Sequence, residues 1–332
     1  MSSFRPSQQS VLLTGGAGFL GGHIAAELLR RGARVTVLDD LSGGSLRNLE
    51  ALQGEPGFRF VRGSVLDAQR VIAEAADCSH VIHLAAIVGV RRVLEHPLRT
   101  LEVNVRGTEV VLEAAALYGC RTLIASSSEV YGRTERAPLR EDDAPRLGPS
   151  STGRWCYAWS KAVGESWALA QYREAGLPVT AVRYFNLVGP RQSGRYGMVV
   201  PRFVAAARQG APIPVHGDGL QTRTFTHVAD AVEASLRLLE CPAAEGAVVN
   251  VGGCEEVSIL ELAERARARA GTGSAIQLVP YREAFPSDFE DVRRRVPCLD
   301  RLAALTGFRP ARSLDQVLEQ LLEPRATAAA RA

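Results

Sequence analysis

The chain has 332 residues, a hydrophobic fraction of 46% and a formal net charge of +3. This length exceeds the usual size of one hydrophobic core, so we expect one large domain and a smaller one. The small net charge argues against a nucleic-acid partner, and the six scattered cysteines argue against a disulfide framework or a metal site. The N-terminal residues are polar and lack the apolar core of a signal peptide. No apolar run is long enough to cross a membrane, so we predict a cytoplasmic protein.

The first predicted unit is a strand, a glycine-rich turn, a helix and a second strand. The apolar residues 11–14 precede Gly15–Gly21, an amphipathic helix follows, and the strand 34–38 ends in Asp39-Asp40. This order is typical of the dinucleotide-binding βαβ unit. In that unit, Gly15 permits the tight turn, Gly18 lets the backbone approach a pyrophosphate, and Gly21 allows close packing of helix on strand. Asp39 is placed to accept hydrogen bonds from a ribose, which favours NAD over NADP.

Strands and helix-length segments continue to alternate along the chain. We predict strands at 58–61, 80–84, 122–125, 178–183 and 248–251, and helices at 67–76 and 97–118. Such alternation predicts an α/β Rossmann fold, a doubly wound parallel sheet covered by helices on both faces. Ligands of these sheets bind beyond the carboxyl ends of the strands. The glycine turn, Ala85-Ala86 and the residues 126–129 are therefore expected to converge on one cleft.

A tyrosine and a lysine four residues apart, Tyr157 and Lys161, follow the serine-rich segment 126–129. On a helix they project from one face, one turn apart. A free phenol has a pKa of about 10, and we expect the neighbouring ammonium to favour the phenolate and lower that pKa. The pair predicts a base that takes a proton from a sugar hydroxyl while a cofactor takes the hydride.

Together these motifs resemble the extended short-chain dehydrogenase/reductases that modify nucleotide sugars. The resemblance runs from about residue 10 to residue 322 and is carried by Gly15–Gly21, His83–Ala86, Asn104, Ser126–Gly132, Tyr157 with Lys161, Arg183–Asn186, Gly189–Arg191 and Gly217–Phe225. It implies that NAD is held by Gly15, Gly18, Phe19, Leu20, Gly21, Asp39, Asp40, Val65, Leu84, Ala85, Ala86, Asn104, Tyr157, Lys161 and Tyr184. One departure is Ser64, where the family usually has an Asp that contacts adenine, although Val65 can still pack on the ring.

The resemblance also implies two domains. Residues 8–190 with a return segment at 226–252 would form the NAD-binding Rossmann domain, residues 191–225 and 253–323 a C-terminal nucleotide-sugar-binding domain, and residues 324–332 a disordered tail. An Arg at position 223 suits the substrate diphosphate because a guanidinium is planar and always charged. The implied contacts to the UDP-sugar substrate are Asn186, Arg195, Val200, Val215, Arg223 and Arg295.

All reactions of the resembled family begin alike. Tyr157 would take the proton of the sugar 4-hydroxyl, with Ser127 bridging that oxygen. Lys161 would support the phenolate and hold the nicotinamide ribose while NAD takes the C4 hydride. From the resulting 4-keto sugar, a 4-epimerase needs only to let the sugar rotate, whereas a 4,6-dehydratase uses an Asp-Glu pair before Val-Tyr-Gly. Here that pair is Ser128-Glu129, so the usual acid of a dehydratase is absent.

Two features are similar to UDP-glucuronate decarboxylases. The run Ser127-Ser128-Glu129 resembles their Ser/Thr-Ser-Glu, and the segment 289–297 resembles the one that supplies an active-site arginine before a proline, which matches Arg295. A C4 ketone makes C6 a β-keto acid that loses carbon dioxide readily. The resemblance therefore favours conversion of UDP-glucuronate to UDP-xylose, with Ser128 and Glu129 ordering the carboxylate or protonating C5.

Several alternatives remain open at this point. A UDP-sugar 4-epimerase would need Glu129 only as a structural partner, and the run Arg293–Arg295 would also suit a solvated face. A non-catalytic NAD-binding regulator is disfavoured because such proteins tend to lose the Tyr or the Lys, which this chain keeps. In the family, the helices at positions 97–118 and 157–175 pair into a four-helix interface, so we expect a homodimer.

Overall fold

A parallel sheet forms the centre of the molecule in the computed structural model, which describes residues 9–134, 136–194, 198–284 and 290–323. The strands are β1 (Ser10–Thr14), β2 (Arg34–Asp39), β3 (Phe58–Arg62), β4 (His80–His83), β5 (Arg121–Ser127), β6 (Val179–Tyr184), β7 (Leu187–Val188), β8 (Ile213–His216), β9 (Thr222–Thr224), β10 (Thr226–His227), β11 (Val248–Val251), β12 (Glu256–Ser258), β13 (Ile276–Val279) and β14 (Arg294–Arg295). The seven-stranded sheet has the order β11-β6-β5-β4-β1-β2-β3, and its neighbouring strands are parallel.

Helices cover both faces of this sheet. They are α1 (Phe19–Arg30), α2 (Ala68–Ala75), α3 (Val90–Glu95), α4 (Pro97–Leu101), α5 (Gly107–Tyr118), α6 (Trp155–Ala175), α7 (Val199–Arg208), α8 (Val228–Glu240), α9 (Ile259–Ala270), α10 (Tyr281–Ala284), α11 (Asp300–Thr306) and α12 (Leu314–Leu322). Apolar residues of α1 and α8 fill one face of the sheet, and those of α2 and α5 fill the other. The predicted doubly wound α/β Rossmann fold is therefore confirmed.

A smaller lobe, formed by β8, β9, β12 to β14 and the helices α7, α9 and α12, has its own apolar cluster. Strand β9 lies between β12 and β14, and β8 pairs with β13. The two domain boundaries given by the sequence stay a prediction, and the tail predicted at 324–332 lies outside the described residues. Among the described residues, no helix combines the length and the apolar character that a membrane span requires.

Two elements near the cleft differ from the sequence prediction. The helix predicted at 97–118 contains a π-helical segment, Glu102–Arg106, between α4 and α5. Strand β5 continues to Ser127, because its ladder with β6 extends to the pair Ser127–Tyr184. Two of the serines predicted to follow the strand therefore form its carboxyl end.

Candidate active site

A cavity of about 2040 Å³ opens along the carboxyl ends of the central strands and extends to the smaller lobe. Small-ligand sites usually enclose roughly 300–1,000 Å³, so this volume suits a cofactor and a substrate together. Its wall includes the glycine turn Gly15–Gly21, Ala85-Ala86, Ser127–Glu129, Tyr157 with Lys161, and the two arginines Arg223 and Arg295. The segments expected to converge on one cleft do so.

The glycine turn lies too close to its neighbours to carry side chains. Gly15 has a φ of +71°, and a Cβ added there would lie 2.6 Å from the amide nitrogen of Ala85. A Cβ on Gly21 would lie 2.5 Å from the carbonyl oxygen of Gly15. Helix α1 begins directly after Gly18, so its free N–H groups face the cavity. This arrangement fits the diphosphate of a dinucleotide.

We expect Gly21→Ala to weaken NAD binding by about tenfold or more, equivalent to roughly 1.4 kcal/mol, because the added methyl must displace the Gly15 carbonyl. Isothermal titration of the protein with NAD measures this loss. Gly273→Ala is the matched control, because an added Cβ there meets nothing within 4 Å. Equal NAD affinity in the two variants would contradict the packing role of Gly21.

Asp39, at the end of β2, braces the same turn. Its carboxylate accepts hydrogen bonds from the backbone N–H groups of Ala17 (3.0 Å) and Leu41 (2.8 Å). Burial raises the pKa of Asp39, and these two hydrogen bonds oppose that shift. Asp40 and Val65 also line the cavity, and Val65 is 5% exposed. An acidic group and an apolar surface are thus available at the adenosine end of a dinucleotide.

Helix α6 holds Tyr157 and Lys161 against the end of β5. The ammonium of Lys161 donates to the carbonyl of Ala125 (2.8 Å), and Tyr157 is hydrogen-bonded to Ser127. Lys161 is also the only lysine in the sequence. Burial lowers its pKa to about 8, while the charge of Glu165 opposes that shift.

The expected lowering of the Tyr157 pKa is not found. Desolvation in the cleft raises the pKa of Tyr157 to about 12, the hydrogen bond from Ser127 lowers it, and the charge of Glu129 adds to the rise. The physical reason is that the phenol is withdrawn from water, while the ammonium of Lys161 is directed at a backbone carbonyl. In the protein alone, Tyr157 is a neutral phenol at physiological pH.

Glu129 lies between two buried guanidinium groups. Its Oε1 accepts a hydrogen bond from Arg295 (2.6 Å), and its Oε2 lies 3.3 Å from Nη1 of Arg154. The guanidinium of Arg295 is also 3.4 Å from the Ser128 hydroxyl. Although burial favours the neutral acid, the charges of Arg295 and Arg154 lower the pKa of Glu129 to about 2. Glu129 is therefore a carboxylate throughout the physiological range, and it carries no proton to donate.

The three consecutive arginines around β14 have different surroundings. Arg293 pairs with Asp218 and Arg294 with Glu256, and their side chains are 65% and 46% exposed. Arg295, only 8% exposed, turns into the cavity. The solvated-face interpretation therefore fits the first two arginines and does not fit the third.

Arg223 is the register partner of Arg295 on the neighbouring strand β9. Its guanidinium is 9% exposed and lies 2.7 Å from the carboxylate of Asp291. Burial, together with the nearby charge of Arg295, lowers the pKa of Arg223 to about 10. Two adjacent buried guanidinium groups give this end of the cavity the charge that a diphosphate or a carboxylate requires.

The other predicted contacts fall into four groups. The cavity wall includes Phe19, Leu20, Leu84, Tyr184, Asn186 and Val200. Val215 is fully buried in the core of the smaller lobe, while its neighbours Pro214 and His216 line the cavity. Asn104 is 1% exposed and connects Ile87 with Ser160 behind the wall, through hydrogen bonds of 2.7 and 3.1 Å. Arg195 lies outside the described residues.

Two charged residues of the cavity were not assigned a contact from the sequence. Arg154 is the N-cap of α6, and its side chain is 5% exposed. Its position three residues before Tyr157, about one helical turn, was the available signal. Asp291 binds both Arg223 and the hydroxyl of Tyr281 (2.7 Å). No sequence spacing links Asp291 with Arg223, because the pairing of β14 with β9 brings them together.

Comparison with known proteins identifies the family to which the chain belongs. Residues 11–252 match the sequence model of the NAD dependent epimerase/dehydratase family. The chain therefore belongs to this family and is an enzyme that uses NAD, as its resemblance to the extended short-chain dehydrogenase/reductases predicted.

Individual relatives are similar over nearly the whole chain. The UDP-N-acetyl-alpha-D-glucosaminuronate decarboxylase of Bacillus cytotoxicus is 39% identical over 94% of this chain and 96% of its own length. UDP-glucuronic acid decarboxylase 1 of Danio rerio is 32% identical over 95% of this chain and 72% of its own length. The structure of UDP-glucose 4-epimerase from Thermotoga maritima has a TM-score of 0.85 at 28% identity and covers 95% of this chain and 97% of that one.

Proposed function

We propose that the enzyme converts UDP-glucuronate to UDP-xylose by oxidation at C4 and loss of carbon dioxide. The observation that carries this proposal is the Arg154–Glu129–Arg295 cluster, which lies in the same cavity as Tyr157 and Lys161. A 4-epimerase of a neutral UDP-sugar has no need of buried guanidinium groups at the sugar, whereas a substrate with a carboxylate does. UDP-glucuronic acid decarboxylases at 31–33% identity over 94–97% of the chain support the same activity.

Oxidation depends on the residues at the end of β5 and on α6. Tyr157 removes the proton of the 4-hydroxyl, and Ser127, which is hydrogen-bonded to the phenol, bridges to that sugar oxygen. When bound, NAD would supply the acceptor for the C4 hydride and a positive ring charge beside Tyr157 and Lys161. The ammonium of Lys161, anchored at Ala125, stabilises the phenolate and can bond a ribose hydroxyl.

Decarboxylation follows from the ketone at C4. The carboxylate at C6 is β to that ketone, so the C5–C6 bond breaks with its electron pair delocalised onto the C4 oxygen. Arg295 and Arg154 orient the leaving carboxylate. The ionised Glu129 cannot itself protonate C5, so its role is to hold the two guanidinium groups, and the proton comes from Ser128 or a water beside it. Return of the hydride to C4 completes the reaction.

A second candidate substrate is UDP-N-acetylglucosaminuronate. It is favoured by the 39% identity with the B. cytotoxicus decarboxylase, which exceeds the 31–33% identity with the UDP-glucuronic acid decarboxylases. The two sugars differ at C2, away from the carboxylate, so the Arg154–Glu129–Arg295 cluster suits both.

Incubation of the enzyme and NAD with each acid alone, and then with an equimolar mixture, tests the proposal. Carbon dioxide and the nucleotide-sugar products are followed by mass spectrometry. Loss of carbon dioxide from UDP-glucuronate, at least matching its loss from the acetamido sugar in the mixture, supports the first candidate. Preference for the acetamido sugar supports the second, and an isobaric UDP-galacturonate product would show a 4-epimerase.

We also propose that the enzyme is a cytoplasmic homodimer. Several large apolar side chains of α4 to α6 are 40–71% exposed: Leu98, Leu101, Leu117, Tyr118, Trp159 and Val163. Burial of this face against a second copy would remove that apolar surface from water. Sedimentation equilibrium distinguishes a dimer from a monomer.

A further inference from the structure

Helix α6 carries a third ionisable side chain in line with its catalytic pair. Tyr157, Lys161 and Glu165 are four residues apart, so they form one row on the helix face that packs on the sheet. Glu165 is 6% exposed, and the reaction described above does not use it. A buried carboxylate is costly unless it is paired, so its partners define what it does.

Glu165 connects α6 to two strands. Its Oε1 accepts hydrogen bonds from Nε of Arg183 (2.8 Å) and from the hydroxyl of Ser126, and its Oε2 accepts from Nη2 of Arg183 (2.7 Å). Ser126 and Arg183 are register partners on β5 and β6. The two-pronged guanidinium–carboxylate pair fixes direction as well as distance. Helix α6 is therefore held to the carboxyl ends of both strands.

The two contacts to β5 are on successive residues. Lys161 binds the carbonyl of Ala125, and Glu165 binds the side chain of Ser126. Ser127, the next residue, is the partner of Tyr157. A shift of α6 along the strand would break all of these contacts together, so the Glu165 pair sets the register in which Tyr157 faces Ser127.

The same network reaches the segment that bears Arg295. The guanidinium of Arg183 stacks on the ring of Tyr131, with 4.6 Å to the ring centroid, and the Tyr131 hydroxyl donates to Asn250 (2.7 Å). Asn250 in turn donates to the carbonyl of Cys298 (3.2 Å), three residues after Arg295. Glu165 is thus linked through buried polar groups both to the end of β5 and to the segment that bears Arg295.

We infer that Glu165 is a positioning residue for the oxidation step: with Arg183 and Ser126 it fixes α6 on the sheet, and its charge stabilises the ammonium of Lys161. This inference rests on the proposed oxidation at C4 but is independent of the decarboxylation that follows. Among the described residues, Glu165 and His83 are the ionisable groups whose charges interact with Lys161, and Tyr157 lies one helical turn before it on α6. Burial and the charge of Lys161 lower the pKa of His83 to about 3, so His83 is neutral and adds no charge beside the Lys161 ammonium.

The single lysine makes a direct test possible. Reductive methylation with a ¹³C label gives one lysine signal beside that of the terminal amine, and its pH titration reports the pKa of Lys161 alone. We expect Glu165→Gln to lower this pKa by about one unit, because burial then acts without the opposing carboxylate. Glu174→Gln, an exposed glutamate of the same helix, is the matched control and should leave the signal unchanged.

Kinetics of the unlabelled protein supply the second readout. We expect Glu165→Gln to lower kcat about tenfold or more with little change in KM, because the reacting groups are misplaced while the substrate contacts remain. Lys161 acts as an ammonium, whose effect is lost as the pH rises through its pKa. A lower pKa therefore moves the alkaline limb of the kcat profile to lower pH.

A double variant separates positioning from folding. Glu165→Gln alone leaves the buried Arg183 without its counter-ion, so Glu165→Gln with Arg183→Met removes both charges. A folded double variant should still show the lowered Lys161 pKa and the reduced kcat. Wild-type values for both would overturn the inference and leave Glu165 as a stabilising residue. The lysine titration needs no substrate, so its result stands even if the enzyme does not act on UDP-glucuronate.

Discussion

Replacement of Tyr157 by phenylalanine is expected to lower kcat by about 10³-fold or more, because it removes the group that takes the 4-hydroxyl proton. The aromatic ring and its packing are retained, so NAD affinity and thermal stability should change little. The rate of NAD reduction in a single turnover measures the loss directly. Steady-state rates would be less informative, because product release can hide part of the effect.

Tyr172→Phe is the matched control for this variant. Tyr172 lies on the same helix α6, four turns further along, and it is 39% exposed on the outside of the molecule. It should reduce NAD at the wild-type rate. If Tyr157→Phe retained activity within about tenfold of the control, general-base catalysis by this residue would be ruled out.

Replacement of Arg295 by alanine should lower the rate of carbon dioxide release by about 10²–10³-fold, the usual effect of removing one charge-stabilising donor. The carboxylate of the substrate would then lack a guanidinium, and Glu129 would keep only Arg154. NAD binding should be unaffected, since Arg295 lies on the smaller lobe and the glycine turn on the sheet. Release of labelled carbon dioxide is the measurement.

Arg294→Ala provides an unusually close control, because it removes an arginine from the adjacent position. Arg294 pairs with Glu256 at the surface, with a side chain 46% exposed, and does not line the cavity. We expect wild-type decarboxylation from this variant. Equal rates of carbon dioxide release from the two alanine variants would show that Arg295 does not contribute to the decarboxylation.

The ionised state of Glu129 makes it a counter-ion in the Arg154–Glu129–Arg295 cluster and not a proton donor. An acid with a pKa of about 2 cannot deliver a proton to C5 at physiological pH. Arg154 and Arg295 hold this carboxylate from opposite sides, and a substrate carboxylate would share the same guanidinium groups. Glu129 therefore keeps two buried cations in place when the site is empty, which avoids an uncompensated charge.

The fold and the cofactor site could be predicted from the sequence because their signals are local. Gly15, Gly18 and Gly21 lie within seven residues, and their spacing reflects the close approach of turn, helix and strand. Tyr157 and Lys161 are likewise one helical turn apart. Such short patterns reflect local backbone geometry, so they can be recognised in the sequence without knowledge of the tertiary structure.

The charged cluster could be predicted only in part, because its members come from separate segments. Glu129 and Arg295 were found by resemblance, but the role of Arg154 depends on the direction in which its side chain leaves the start of α6. Val215 was expected to contact the substrate, yet alternation along β8 turns it into the core and exposes its neighbours to the cavity. The raised pKa of Tyr157 could also be found only from the structure, because the spacing of Tyr157 and Lys161 does not show that the phenol is buried.

The proposed decarboxylation through a 4-keto sugar is tested most directly with UDP-glucuronate labelled with ¹³C at C6 and with deuterium at C4. We predict that the enzyme with NAD releases the ¹³C as carbon dioxide and forms UDP-xylose that retains the deuterium, because the hydride leaves C4 and returns to it. A UDP-hexuronate product that keeps the ¹³C would contradict the decarboxylation. UDP-xylose without deuterium would contradict the return of the same hydride.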